Sequence, residues 1–347
     1  SILKDAAAAV YGFRASRGVV LITTKKGAKG ESAKININGY QGWQNLTRFP
    51  TMANAKQYTL GLVEAAQNEN RDPRTVYTPE ELAKWQAGTE PGYQGYDYYD
   101  MVIRKNIPQR YINANVTGGN EKSNYFLSLG HLNQDAMIKD FNYKRTNFQA
   151  NMEAEVLKGL TVGTQISGRH EGTQDVGLPG GDGYFSSILA IMKNRPTVGP
   201  YANDNPAYIN HTNDFPYNPA LFSRDIAGYK DNKYLAGNVN LFAAYKTNFG
   251  LSAKGTVSYN YTNNKFEGFQ YTYDVYRYEN NAYKRTGGSD AGWRYDTNRE
   301  IVSRFAQFQI DYNKQIGDHT FAGMLGYERS DWDRTYKALG ANPSNNY

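Results

Sequence analysis

The chain has 347 residues with 39 Lys and Arg, 33 Asp and Glu, four His and no Cys. Without cysteine there is neither a disulfide framework nor a thiolate metal site, and the +6 net charge is spread with no block of five like charges, as on a solvated surface rather than a nucleic-acid footprint. A mean hydropathy of −0.72, and no run near the roughly 18 apolar residues a spanning helix needs, exclude a helical membrane protein.

Tyrosine is the compositional outlier, with 30 copies beside 34 glycines. That mixture suits a wet β-protein, or a surface that grips polar ligands with aromatic faces. In chain order, residues 2–27 read ILKDAAAAVYGFRASRGVVLITTKKG. A short apolar strand is followed by small residues at 6–9, which let a helical turn lie close to a neighbour. Gly12 and Gly18 supply the freedom to leave and re-enter extended backbone. Val19 begins a second apolar strand, and Lys25 and Lys26 mark a solvated exit.

From residue 33 onward the pattern alternates with period two, so each strand has one apolar and one polar face. Phe148, Ala150, Met152, Ala154 and Val156 oppose Asn147, Gln149, Asn151, Glu153 and Glu155. About nine strands are expected, near 33–43, 110–118, 123–134, 143–156, 160–171, 233–247, 251–266, 299–314 and 319–332. Four connections, at 118–122, 157–159, 248–250 and 316–318, are tight turns. The others are long, at about 44–109, 172–232 and 267–298, with one short exception near 135–142.

Short turns at one end and long loops at the other are the asymmetry of an outer-membrane barrel. The fold expected is therefore all-β, a transmembrane antiparallel β-barrel with Ala150 facing lipid and Asn151 facing the lumen. Tyr245, Tyr259, Tyr261, Tyr312 and Tyr327 would supply the aromatic girdles. Within the loops, 54–68 and 79–87 read as helices, the second capped by Thr78 with Glu81 three residues on. A third helix is expected over 186–194, and 91–100 and 196–219 read as irregular.

Candidate chemistry is sparse. His131, His170, His211 and His319 stand singly, with no metal-ligand spacing. No nucleophile elbow, phosphate loop or zinc-protease motif occurs, so no enzyme and no cofactor are expected. Asp97, Asp100 and Asp182 lie in loops with nothing to mark a catalytic pair. The turn at 180–183 could ligate calcium but reads more simply as a flexible turn. The loop aromatics Tyr93, Tyr96, Tyr98, Tyr99, Tyr184 and Phe185 are the candidate substrate contacts, as stacking platforms for sugars or pockets for peptides.

Two stretches resemble one family. Residues 2–27, with Lys4, Asp5, Tyr11, Gly12, Arg14 and Gly18, resemble the last segment of the plug domain of TonB-dependent outer-membrane transporters, in the SusC/RagA branch. Residues 113–151, with Gly118, Gly119, Lys122, Asn124, Tyr125 and the pair Lys144 and Arg145, resemble an early barrel hairpin of that branch. Phe13 and Arg17 depart from its commoner residues.

The resemblance implies a 22-stranded barrel around an N-terminal plug. Residues 1–27 would be the end of the plug and 28–347 the first part of the barrel, so the sequence reads as a fragment. It implies active import of a glycan or peptide oligomer with a SusD-like surface lipoprotein, driven by TonB through a missing N-terminal segment. Outer-membrane lipids would surround it, and nucleic acid has no part. A passive porin and a soluble carbohydrate-binding or adhesin β-protein are the alternatives. The second would pack its apolar strand faces together inside the protein.

Overall fold

The computed structural model describes residues 2–3, 17–20, 25–178, 183–211 and 218–344. It contains one nine-stranded sheet in which every neighbour is antiparallel. Two short strands precede that sheet, β1 (Ile2–Leu3) and β2 (Val19–Val20), which pair with each other. The large sheet begins with β3 (Lys34–Gln44), β4 (Ile107–Gly119), β5 (Ser123–Asp135), β6 (Asn142–Leu157) and β7 (Leu160–Val176). It continues through β8 (Gly228–Lys246) and β9 (Leu251–Gln270). A separate hairpin, β10 (Tyr273–Glu279) and β11 (Ala282–Ser289), interrupts the loop before β12 (Trp293–Ile316) and β13 (His319–Ala341).

All nine expected strands are present and most run longer than their sequence pattern, because pairing continues where alternation fades. The loop expected at 267–298 is corrected: most of it is the β10–β11 hairpin, turning at Asn280 and Asn281, both with positive φ. The tight turns rest on local chemistry. Asn120 Oδ1 accepts from the backbone of Lys122 and Ser123, at 2.9 and 2.8 Å. Gly159, Gly250 and Gly317 take the left-handed conformation that a side chain would resist.

Register converts the alternation into two continuous faces. Directly opposed residues make the row Asn36, Asn115, Ser128, Gln149, Ser167, Asn238, Asn260 and Ser303, polar across eight consecutive strands. The adjacent row on the other face runs Ile35, Val116, Leu127, Ala150, Ile166, Val239 and Tyr259, then Arg304 and Asp331. Large apolar side chains on that second face stand bare, among them Ile35 at 73%, Leu241 at 48% and Leu325 at 72% exposure. A sandwich would cover them, and among the described residues nothing does.

The second row starts one residue inside the short-turn end of β3 and ends 12 residues inside that of β13. Eight strand steps give a stagger of about 1.4 residues each, hence a tilt of about 43° for a 3.3 Å rise and 4.8 Å spacing, inside the barrel range of 35–45°. Height along the barrel axis then grows by about 2.4 Å per residue. Tyr245 falls near the lower end, Tyr312 about 10 Å above it, and Tyr259, Tyr261 and Tyr327 about 19–24 Å above it, so most of these rings bracket an apolar band about 25 Å tall.

The polar face receives the chain that leads in from the N-terminal side. Asn151 Nδ2 donates to the Lys25 carbonyl at 2.6 Å, and Lys26 pairs with Glu153 at 3.1 Å. Gly30 N donates to the Asn120 carbonyl, and Gly119 N to that of Glu31. A Cβ on Gly27 would lie 2.3–2.8 Å from backbone atoms of Tyr125 and Gly118, so the approach is possible only for glycine. Asn151 is therefore 5% exposed and Ala150 4%. Ala150 is covered by its own row and Asn151 by the incoming chain, so position 151 is not the tolerant lumen site that alternation alone suggests.

Among the described residues no helix is long and apolar enough to cross a membrane. The helices lie in the loops: α1 (Ala55–Asn68), α2 (Pro79–Ala87), α3 (Tyr98–Val102), α4 (Gly183–Lys193) and α5 (Arg224–Ala227). α1 and α2 fall where expected, while α4 starts three residues earlier than its periodicity suggests. Their apolar sides share a small core with the strand ends, centred on Ile138, Val176, Leu178, Ile191 and Leu221.

Candidate functional site

The long loops gather at one end of the sheet, and the first (45–106) and third (177–227) enclose a cavity of about 740 Å³. That volume lies within the usual 300–1,000 Å³ of small-molecule sites. Its walls include Leu46, Arg48, Phe49, Met52 and Asn54 from the chain after β3, Tyr96 and Tyr99 around α3, and Ile191, Asn194 and Pro196 from the third loop.

Local sequence builds each wall. Asn54 and Gln57 exchange side-chain hydrogen bonds with each other's backbone N–H, at 3.0 and 3.1 Å, starting α1 at the cavity rim. Thr78 and Glu81 do the same for α2, and Gly88 ends it in the left-handed conformation. Asp97 Oδ1 accepts from the backbone of Tyr99 and Asp100, so its carboxylate caps α3. Asp100 accepts from Lys105 Nζ at 3.1 Å. Both carboxylates thus have structural partners.

The candidate tyrosines divide by what they touch. Tyr96 donates its hydroxyl to Asp204 Oδ1 at 2.6 Å, and its N–H to the Pro196 carbonyl at 2.9 Å. Tyr98 is buried, with its hydroxyl on the Val198 carbonyl. Burial, joined for Tyr96 by the Asp204 hydrogen bond, pushes both phenols well above the usual tyrosine range, which keeps them neutral donors. Tyr93 packs edge-on against Trp85 at 5.2 Å.

Tyr99 lines the cavity and meets Phe49 at 5.1 Å. Phe185 is 57% exposed on α4, and the side chain of Tyr184 lies outside the described residues. Tyr96, Tyr98 and Tyr99 therefore come together at one cavity, and Tyr93 stands apart, packed against Trp85 of α2.

Sequence reasoning missed Leu46, Arg48, Phe49 and Met52, which follow β3 with no repeat or motif. Their one signal is an aromatic beside a proline directly after a strand. Tyrosines elsewhere stitch loops in the same way. Tyr208 of the third loop stacks on Tyr283 of β11 with ring centroids 3.6 Å apart. Part of the tyrosine excess is thus loop fastening.

Among the described residues no group of three or more His, Asp or Glu could hold a metal ion. Of the plug-like residues, Gly18 has φ +97° and adjoins β2. Lys4, Asp5, Tyr11, Gly12 and Arg14 lie outside the described residues, as do 180–182 of the calcium-like turn.

No family model matches the chain. It is 26% identical over 99% of its length to the TonB-dependent receptor P39 of Formosa agariphila, covering 30% of that protein. It is 24% identical over 96% of its length to the TonB-dependent receptor SusC of Bacteroides thetaiotaomicron, covering 32%. The chain is a relative of the SusC/RagA-type TonB-dependent receptors. It spans about a third of the length of these curated relatives. The structure of the RagAB peptide importer in its open-open state superposes with a TM-score of 0.73 at 21% identity, over 99% of this chain and 39% of that one. This likeness is one of fold: the nine strands match a segment of that importer's fold. The relatives carry receptor and importer names, not enzyme names.

Proposed function

We propose that the protein of which this chain is a part imports a nutrient oligomer, glycan or peptide, across the outer membrane, with energy delivered by TonB and a SusD-like lipoprotein as its lid. The observation that supports this reading most is the polar sheet face engaged by residues 25–31. A wall that faces water and receives the incoming chain is the wall of a filled lumen, whereas a passive porin keeps its lumen open. In this reading residues 1–27 end the plug and residues 28–347 begin the barrel.

Tyr99, Phe49 and Phe185 present rings to the ligand, while Tyr93, Tyr96 and Tyr98 hold the loops that shape the site. No covalent chemistry is assigned. Moving the plug means breaking the Asn151 and Lys26 contacts, and substrate binding energy spent on that would be lost to affinity. An external pull resolves the conflict. Cells carrying the full-length protein should bind labelled oligomers but cease importing them when the proton gradient is collapsed. Import that continues unchanged and rises linearly with concentration would refute the reading.

A further inference from the structure

The fourth loop (271–292) supplies no lining residue to the cavity, yet it is tied to one of the cavity's walls. Pro196, in that wall, opens a strap of chain that runs to His211. At the cavity end, Tyr96 and Tyr98 of the first loop bond to Pro196, Val198 and Asp204. The approach is close: a Cβ on Gly199 would stand 2.6–2.9 Å from the Tyr96 ring. Further along, the strap doubles back on itself. Tyr201 bridges to Ile209, and Asn210 donates through N and Nδ2 to the Pro200 and Gly199 carbonyls, both at 2.9 Å.

At the far end, residues 209–211 pair with β10 of the β10–β11 hairpin. Asn210 bridges to Tyr276 in parallel, Tyr276 N donates to the Ile209 carbonyl, and His211 N donates to that of Tyr276, both at 2.7 Å. Side chains lock this joint. Tyr208 lies flat on Tyr283 and edge-on to Tyr276, whose centroid is 5.1 Å away, while Asn205 Nδ2 donates to the Tyr283 hydroxyl at 3.1 Å. Ring pairs of both kinds contribute beyond the area they bury.

We infer that the β10–β11 hairpin sets the position of the cavity's third-loop wall, with Tyr208 as the positioning residue of the joint. What the cavity admits then depends on a loop that does not line it. The inference rests on the reading of this cavity as the binding site. Asn210 bonds to the hairpin and to Gly199 at once, so a shift of the hairpin reaches the chain three residues from Pro196. The Tyr98 hydroxyl pins the same stretch to the opposite loop, and a buried bond of that kind is costly to leave unmade. The coupling is reciprocal, since an occupant that displaces the wall must also load the joint.

The test uses the full-length protein carrying Met52→Cys, which puts a thiol on the cavity lining. Its labelling rates with N-ethylmaleimide and with the much larger fluorescein maleimide give a ratio that reports cavity width, with the protein lacking Met52→Cys as background. Amide exchange reports the wall (191–204) and the hairpin (273–289), and heat-modifiable gel migration confirms that each variant is folded. Tyr208→Ala, which removes both ring contacts, should speed exchange about tenfold at 196–204 as well as in the hairpin, the scale of the lost aromatic pairs, and should raise the larger label's relative rate. Tyr208→Phe keeps the ring and should restore the parent values, and Tyr283→Ala should reproduce the loss from the other side of the joint. Glu279→Gln releases only the Arg277 and Lys284 ion pairs near the hairpin tip, and should alter neither the wall nor the ratio. In the reverse direction, fluorescein tethered at position 52 should change exchange in 273–289. A folded Tyr208→Ala protein whose changes stop at the hairpin, or whose labelling ratio is unchanged, would overturn the inference. If that variant does not fold, Tyr283→Ala decides by the same criterion. None of these measurements uses a transported substrate, so their failure leaves the import reading standing, and a failure of energy-dependent import leaves the joint standing.

Discussion

Arginine at Val257 separates a lipid-facing surface from a water-facing one. Val257 is 53% exposed, opposes Leu241 and Ala306, and lies six residues above the short-turn end of β9. At about 2.4 Å per residue this is about 14 Å up, near the middle of the apolar band. Val257→Arg should then destabilise the full-length barrel by about 2–4 kcal/mol. Were the same face in water, an exposed substitution would stay within about 0.5 kcal/mol.

Thr256, one residue back, points to the polar face between Phe242 and Gln307, and Thr256→Arg should cost less than about 1 kcal/mol. Reversible denaturant unfolding in phosphatidylcholine vesicles, followed by tryptophan fluorescence, measures both. Equal costs, or a cost at 257 below about 0.5 kcal/mol, would refute the assignment of faces.

Other outcomes follow from single contacts. Tyr98→Phe removes the buried hydroxyl from the Val198 carbonyl and should weaken docking of the first loop on the third by about 1–3 kcal/mol, read as faster amide exchange at residues 196–204. Gly27→Val drives a side chain into the backbone of Tyr125 and Gly118, and should make residues 25–31 a new site of limited proteolysis with the strands unaffected. The phenols of Tyr96 and Tyr98 are raised by folding, so their contribution is intact below the unfolded tyrosine value near 10 and lost as pH rises toward their folded values. Loop loosening should therefore set in above about pH 10 and be much reduced in the doubly substituted Tyr96→Phe, Tyr98→Phe protein. Tyr99→Ala and Phe49→Ala should each weaken ligand binding several-fold while import of what is bound stays energy-dependent.

The large sheet was legible because its physics is written locally. One residue in two must be apolar, and turn residues such as Asn120, Gly159 and Gly250 mark where pairing reverses. The caps of α1 and α2 were equally local, Asn54 with Gln57 and Thr78 with Glu81. The β10–β11 hairpin was not, since Tyr273, Tyr276 and Tyr278 blur the two faces and only Asn280–Asn281 signals a turn. The cavity was less legible still. Phe49 and Tyr99 meet only because Tyr96 and Tyr98 bond to residues about 100 positions away, and no spacing within one segment records that. Position 151 shows the same limit: its face is plain from alternation, but its burial depends on Lys25 crossing it.

The polar sheet face as the wall of a lumen filled by the chain upstream of residue 28 is the claim on which the functional reading stands. Single-channel conductance of the full-length protein in a planar bilayer tests it most directly. The intact protein should show no steady open current, and removing the segment before residue 28 should open a large, stable one. A steady open current from the intact protein would contradict the account.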